Sequence, residues 1–141
     1  MKRIVFIALC AFIMTACGKY EEGPGFSLKS KTKRLCREWK LDKIVENGED
    51  ITIDYFTKVP THTLLFIDYG TDAGSLKETI NTTTLAKGWM WGDKKETLII
   101  NYTMLQTPYE HIFVIRRLTS KEFWYNTTIE EKDYEFYWVV K

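Results

Sequence analysis

The sequence predicts an all-β domain: an antiparallel up-and-down meander of about eight strands that closes into a barrel, with a short helical turn at its start. Three observations carry this. Apolar and polar residues alternate with a period of two over much of residues 37–141, the periodicity of a strand with one face buried. The alternating stretches are rich in Ile, Val, Tyr, Trp and Thr, which pack well on a pleated surface. Short polar turns separate them, with no helical stretch between. Strands in that order pair with their neighbours, and closure into a barrel removes the exposed edges such a sheet would keep.

Taken in order, residues 30–36 are the one helical candidate, opened by Ser30, whose hydroxyl can cap the first turn. Strands are expected at residues 39–45, 51–56, 61–69, 76–82 and 85–91. Gly92-Asp93-Lys94-Lys95 supplies a turn. Two longer strands follow at 97–104 and 109–118, and Thr119-Ser120-Lys121 turns the chain again. In 122–128, Phe123, Tyr125 and Thr127 share one face. After the charged turn at 129–132, Tyr134, Phe136, Trp138 and Val140 share one face of the last strand.

The N-terminus reads differently. Met1-Lys2-Arg3 forms a basic head, an apolar run extends from Ile4 to Met14, and small residues Thr15 and Ala16 follow. That is the layout of a secretory signal, and the run is shorter than the ~20 residues a membrane-spanning helix needs. Met14-Thr15-Ala16-Cys17-Gly18 resembles the lipobox of bacterial lipoproteins. The resemblance implies cleavage before Cys17, a diacylglyceryl group on its sulfur and an acyl chain such as palmitate on its amine. Several chains together anchor firmly where one holds only marginally.

Of three cysteines, Cys10 then falls in the signal and Cys17 takes lipid, so Cys36 is left without a disulfide partner and reads as a small buried hydrophobe. Residues 18–33 hold Glu21, Glu22, Gly23, Pro24, Gly25 and then Ser and Lys, a composition that reads as a mobile tether. The chain divides into a signal (1–16), a tether (17–33) and a barrel domain (34–141). The acidic pair after the cysteine resembles the export signal that carries lipoproteins of one phylum of Gram-negative anaerobes to the cell surface. This implies an outer-membrane, lipid-anchored protein.

Without Lys2 and Arg3, 18 basic residues face 19 acidic ones. Such a balance gives no footprint for nucleic acid, whose phosphates demand a strongly basic face. Lys29, Lys31, Lys33, Arg34 and Arg37 form the one basic stretch. It suits either a solvated helix or lipid head groups.

Three segments carry a family resemblance: LCREWKLDKI (35–44), LAKGWMWGDKKETLII (85–100) and VIRRLTSKEFWYN (114–126). Together they resemble the lipocalin-like (calycin) lipoproteins of Gram-negative anaerobes of the Bacteroides type. In that family a tryptophan on the first strand closes the barrel base. Trp39 takes this position here, with Arg37 standing where the family has glycine. Gly88, Trp89 and Trp91 resemble a later strand of the family, and Leu118 to Glu122 its Leu-Thr-x-Lys-Glu strand start. The resemblance implies a barrel or half-barrel able to hold a small apolar ligand, with no shared catalytic residues and no cofactor.

Trp39, Trp89, Trp91, Trp124 and Trp138, with many Tyr and Phe, exceed what a small core requires. Ligand pockets are lined by such aromatics. Trp91, Tyr102, Tyr125 and Trp138 are the candidate liners, because Tyr and Trp offer a polar edge as well as a ring. A hydrophobic ligand and a glycan both suit them, and so does simple filling of the interior. His62 and His111 each stand alone in their strands, which gives neither a catalytic dyad nor a metal site. The expected function is a non-enzymatic, membrane-anchored ligand binder. The alternative is an interaction or inhibitor module with a filled core, docking on an envelope partner.

Overall fold

The computed structural model describes Tyr20 and residues 28–141; the expected signal and Cys17 lie outside the described residues. Among the described residues, α1 (Lys31–Leu35) leads into β1 (Glu38–Glu46), β2 (Glu49–Asp50), α2 (Thr52–Lys58), β3 (His62–Asp68), β4 (Ala73–Ile80) and β5 (Thr83–Trp91). A 3-10 turn (Asp93–Lys95) then precedes β6 (Thr97–Met104), β7 (Thr107–Leu118), β8 (Glu122–Ile129) and β9 (Lys132–Val140). Pairing is antiparallel in the order β1, β3, β4 and so on to β9, and β9 returns to β1, with Trp39 opposite Val140 and Glu46 opposite Tyr134. Eight strands thus close into the expected barrel. The two-residue β2 only extends β1 around Asn47-Gly48.

Tight hairpins enforce this order. Asn47 and Gly48, Leu105 and Gln106, and Glu130 and Glu131 all adopt positive φ, as two-residue turns matched to strand twist require. Gly74 is needed for a different reason. A Cβ there would lie 1.8 Å from the Ile67 carbonyl oxygen, and across this open spot the Trp89 indole N–H donates to the same oxygen at 3.1 Å.

Residues 51–56, expected as a strand, instead begin α2. Asp50 accepts from both the backbone N–H (3.0 Å) and the hydroxyl (2.6 Å) of Thr52. The bend set by this pair turns the chain into a helical turn before it can pair with β3. The 30–36 helix is present as expected, with the Ser30 hydroxyl accepting from the Lys33 N–H at 3.2 Å.

Antiparallel order sorts the connections onto two ends. At one lie α1 and the β3–β4, β5–β6 and β7–β8 loops; at the other, β2, α2 and the β4–β5, β6–β7 and β8–β9 turns. The first end is closed. Leu35, Trp39, Leu118 and Phe123 are fully buried there, and the Trp39 indole N–H donates to the Leu35 carbonyl at 2.9 Å, pinning α1 under the barrel. Arg37 reaches from this end to the Ser120 carbonyl, its guanidinium donating at 2.5 Å. Thr119 organises the adjoining loop by accepting from the N–H groups of Lys121 and Glu122.

The closed end also takes in part of the expected tether. Tyr20 is only 5% exposed and joins the core, its hydroxyl donating to the Lys95 carbonyl at 2.9 Å. The Lys31 ammonium lies over its ring at 4.4 Å. Burial raises the Tyr20 pKa well above the ordinary tyrosine range, so it stays a donor. Composition alone missed this docking because one aromatic residue outweighs its polar neighbours.

At the other end the wall loosens. β5 pairs with β6 only from Gly88–Asn101 to Trp91–Leu98. The β7–β8 ladder stops at Val114–Asn126, beyond which the Thr127 hydroxyl donates to the Ile112 carbonyl at 2.9 Å. The outer part of the β6–β7 hairpin is therefore an arm with two free margins. Pro108, which has no N–H to give, lies on it opposite Thr103.

Candidate functional site

A partly open cavity of about 260 Å³ lies inside the open half of the barrel. Its polar lining is a belt with one residue from each of six consecutive strands: His62 on β3, Glu78 on β4, Lys87 on β5, Tyr102 on β6, His111 on β7 and Thr127 on β8. Each occupies an inward position on its strand, in phase with core residues such as Leu64, Leu76, Trp89, Ile100, Phe113 and Tyr125. Tyr55 of α2 closes one side of the cavity.

The belt is linked. One Glu78 oxygen meets His62 Nε2 at 2.9 Å and the other meets Lys87 Nζ at 2.5 Å. His62 Nδ1 lies 2.7 Å from the Tyr55 hydroxyl, which ties α2 over the mouth. The Lys87 ammonium sits 4.5 Å from the centre of the Tyr102 ring, and the Tyr102 hydroxyl is 3.2 Å from His111 Nε2. Burial alone would raise the Glu78 pKa, but the His62 hydrogen bond and the Lys87 charge and hydrogen bond together bring it down to about 2. The carboxylate is therefore ionised at neutral pH. Burial, and then the Lys87 charge, lower the His111 pKa. Burial pushes Tyr55 up to about 12, with the Glu78 charge adding to it.

The opposite wall is a stack of rings. Phe113 and Tyr125 lie face to face, 4.0 Å apart at 6°, and Tyr125 stacks on Phe136 at 5.2 Å. Burial holds Tyr125 protonated far above the ordinary range. The site thus offers a flat apolar wall facing a charged, hydrogen-bonding belt.

Two of the four expected liners, Tyr102 and Tyr125, border this cavity. Trp138 is fully buried beneath it, edge-on to His62 at 4.9 Å. Trp91 lies at the closed end, where its indole N–H donates to the Thr32 hydroxyl at 2.9 Å and its ring packs edge-on against Trp89. The strand reading placed Trp91 inward correctly but did not say at which depth.

His62, Glu78, Lys87 and His111 went unnoticed as a group because they are far apart in sequence. The available signal was phase: each is a titratable residue at a core-facing position of its strand.

A second, open cleft of about 920 Å³ runs outside the wall where β7 parts from β8. His111 and Thr127 border both spaces, so the cavity has a lateral approach as well as its mouth. Among the described residues no group of three His, Cys, Asp or Glu is placed to hold a metal ion, and no helix is long and apolar enough to cross a membrane. Cys36 is half-buried and unpaired; burial, then the Asp68 charge, raises its thiol to about 11. Compared with models of protein families and with curated proteins, the chain matches none.

Proposed function

We propose that the protein is a lipid-anchored binding protein of the cell envelope, whose barrel mouth holds a small polar ligand with a flat apolar face. A sugar ring and a planar aromatic acid both have this form. The observation that carries the reading is the belt of Glu78, His62, Lys87, Tyr102 and His111 opposite the Phe113–Tyr125–Phe136 stack, around about 260 Å³ of space. A ligand site combines an apolar lining with a few convergent polar groups. An alkyl tail laid against an ion pair would strip water from it without replacing the lost hydrogen bonds, and the packed lower half leaves no depth for a long chain. A ring with hydroxyl or carboxylate substituents satisfies both walls.

Titration with oligosaccharides, aromatic acids and fatty acids, followed by tryptophan fluorescence, tests this, because Trp138 lies directly under the cavity. Saturable change with one of the first two classes, weakened at least tenfold by Lys87→Ala, is expected. Response to fatty acids alone would refute the polar ligand.

A second reading rests on a different observation. Met90, Ile99 and Ile112 form a cross-strand row on the outer wall, Met90 and Ile112 about half exposed, and the tip residue Leu105 is 93% exposed. Such a surface suits docking on an envelope protein. Retention of an envelope partner that Ile112→Glu abolishes, with ligand response intact, would favour it.

A further inference from the structure

We infer that the closed end of the barrel lies against the membrane, on an anionic lipid surface, so that the cavity mouth and the β6–β7 arm point away from the bilayer. This rests on the lipid-anchor reading of Cys17. The first support is chain length. Tyr20 is docked in the closed end through its ring and its hydroxyl, and it follows Cys17 by three residues. Three residues reach at most ~11 Å. A lipid on residue 17 therefore holds this end within about one head-group layer of the bilayer, whatever path the intervening residues take.

The second support is charge. Lys29, Lys33, Lys94 and Lys121 are exposed around the closed end. Of the acids there, Asp72 is engaged by Lys95 at 2.6 Å, Glu38 by Lys141 at 2.6 Å and Glu122 by Arg117 at 2.8 Å, while Asp68, Asp93 and Glu96 still leave a modest basic excess once Lys31, Arg34 and Arg37 are counted with the four lysines. The open end is acidic on balance: Glu49, Asp50, Asp54, Glu130, Glu131 and Asp133 are exposed there and outnumber Lys43, which pairs with Asp50 at 3.4 Å, Lys58 and Lys132. Anionic head groups attract the first end and repel the second, each lysine near the surface contributing about 1 kcal/mol at most. An eight-residue strand tilted as in a small barrel separates the ends by roughly 20 Å, beyond a Debye length of about 8 Å at physiological salt. The rim acids thus escape the head-group field only in this orientation. The apolar arm tip would reach the bilayer in the inverted pose, but it would carry the acidic rim with it.

The test uses the processed chain with Cys36→Ser, coupled through its residue 17 sulfur to a maleimide lipid in vesicles of phosphatidylcholine with 30% phosphatidylglycerol, an amount chosen on the order of natural anionic content. A fluorescent amino acid replaces either Lys121 at the closed end or Gln106 at the arm tip, and a nitroxide on the lipid head group quenches it. Quenching at position 121 at least threefold stronger than at 106 is expected, with the contrast shrinking in pure phosphatidylcholine. Equal quenching, or stronger quenching at 106, overturns the orientation; a contrast unchanged in neutral vesicles overturns the part assigned to charge. Because the tether is chemical, this result is independent of whether the cell acylates Cys17. Mass spectrometry of the native protein decides that separately.

Discussion

The two halves of this barrel use the same alternation of residues to different ends. In the closed half the inward positions are Trp39, Leu98, Leu118 and Phe123, all fully buried, and the space between them is filled. In the open half the inward positions include Glu78, Lys87, Tyr102 and His111, and a cavity remains. Burying charge is costly unless it is paired, so the upper belt is hard to explain as a device for stability alone. The contrast teaches that one alternation can either fill the interior with apolar packing, as in the closed half, or hold paired polar groups around a void, as in the open half.

The largest effect that would sharpen this contrast is expected from Trp39→Ala. Removing a fully buried indole should cost about 4 kcal/mol, read as a lowered denaturant midpoint; a loss under about 1 kcal/mol would mean that the closed half is not the stabilising one.

Next comes acid. The Glu78 pKa is about 2 in the folded chain against an ordinary 4.5, so its ionised form stabilises the fold fully above pH ~4.5, and this contribution, about 3 kcal/mol, is lost as the pH falls toward 2. Glu78→Gln should flatten the stability profile in that window and cost about 2 kcal/mol at pH 7. A profile identical to that of the unaltered protein would place the carboxylate in water.

Cys36 gives a kinetic measure of the closed half. With its thiol raised to about 11 from an ordinary 9.0, thiolate near neutral pH is about a hundredfold scarcer than for a free cysteine, and modification by a disulfide reagent should slow accordingly. Fast labelling would reveal opening at the base. The smallest effect is expected at the arm tip, where Leu105→Ser, at a side chain 93% exposed, should change stability by less than about 0.5 kcal/mol.

Much of the fold was legible because strand periodicity is local. The faces of β8 and β9, the Ser30 cap and the turns at 92–95 and 119–121 all follow from neighbours in sequence. Residues 51–56 misled because Ile-Thr-Ile-Asp-Tyr-Phe alternates convincingly, while the deciding interaction is the grip of Asp50 on Thr52, a single side-chain choice outside the alternation. The site was legible only in part. Tyr102 and Tyr125 were identifiable from chemistry and phase, whereas Glu78 and Lys87 become partners only through the β4–β5 register that sets Leu76 opposite Lys87, which a single sequence does not state. Depth along the barrel axis, the property that separates Trp91 from Tyr102, depends on strand stagger as well.

One small feature bears on how these molecules behave in a crowd. Pro108 sits on the free margin of the arm that the neighbouring β8 does not cover, where a neighbouring molecule's strand would otherwise add and begin a fibre. Its ring removes one rung from that would-be template, so at high concentration the protein keeps a projecting hairpin without becoming a seed for polymerisation.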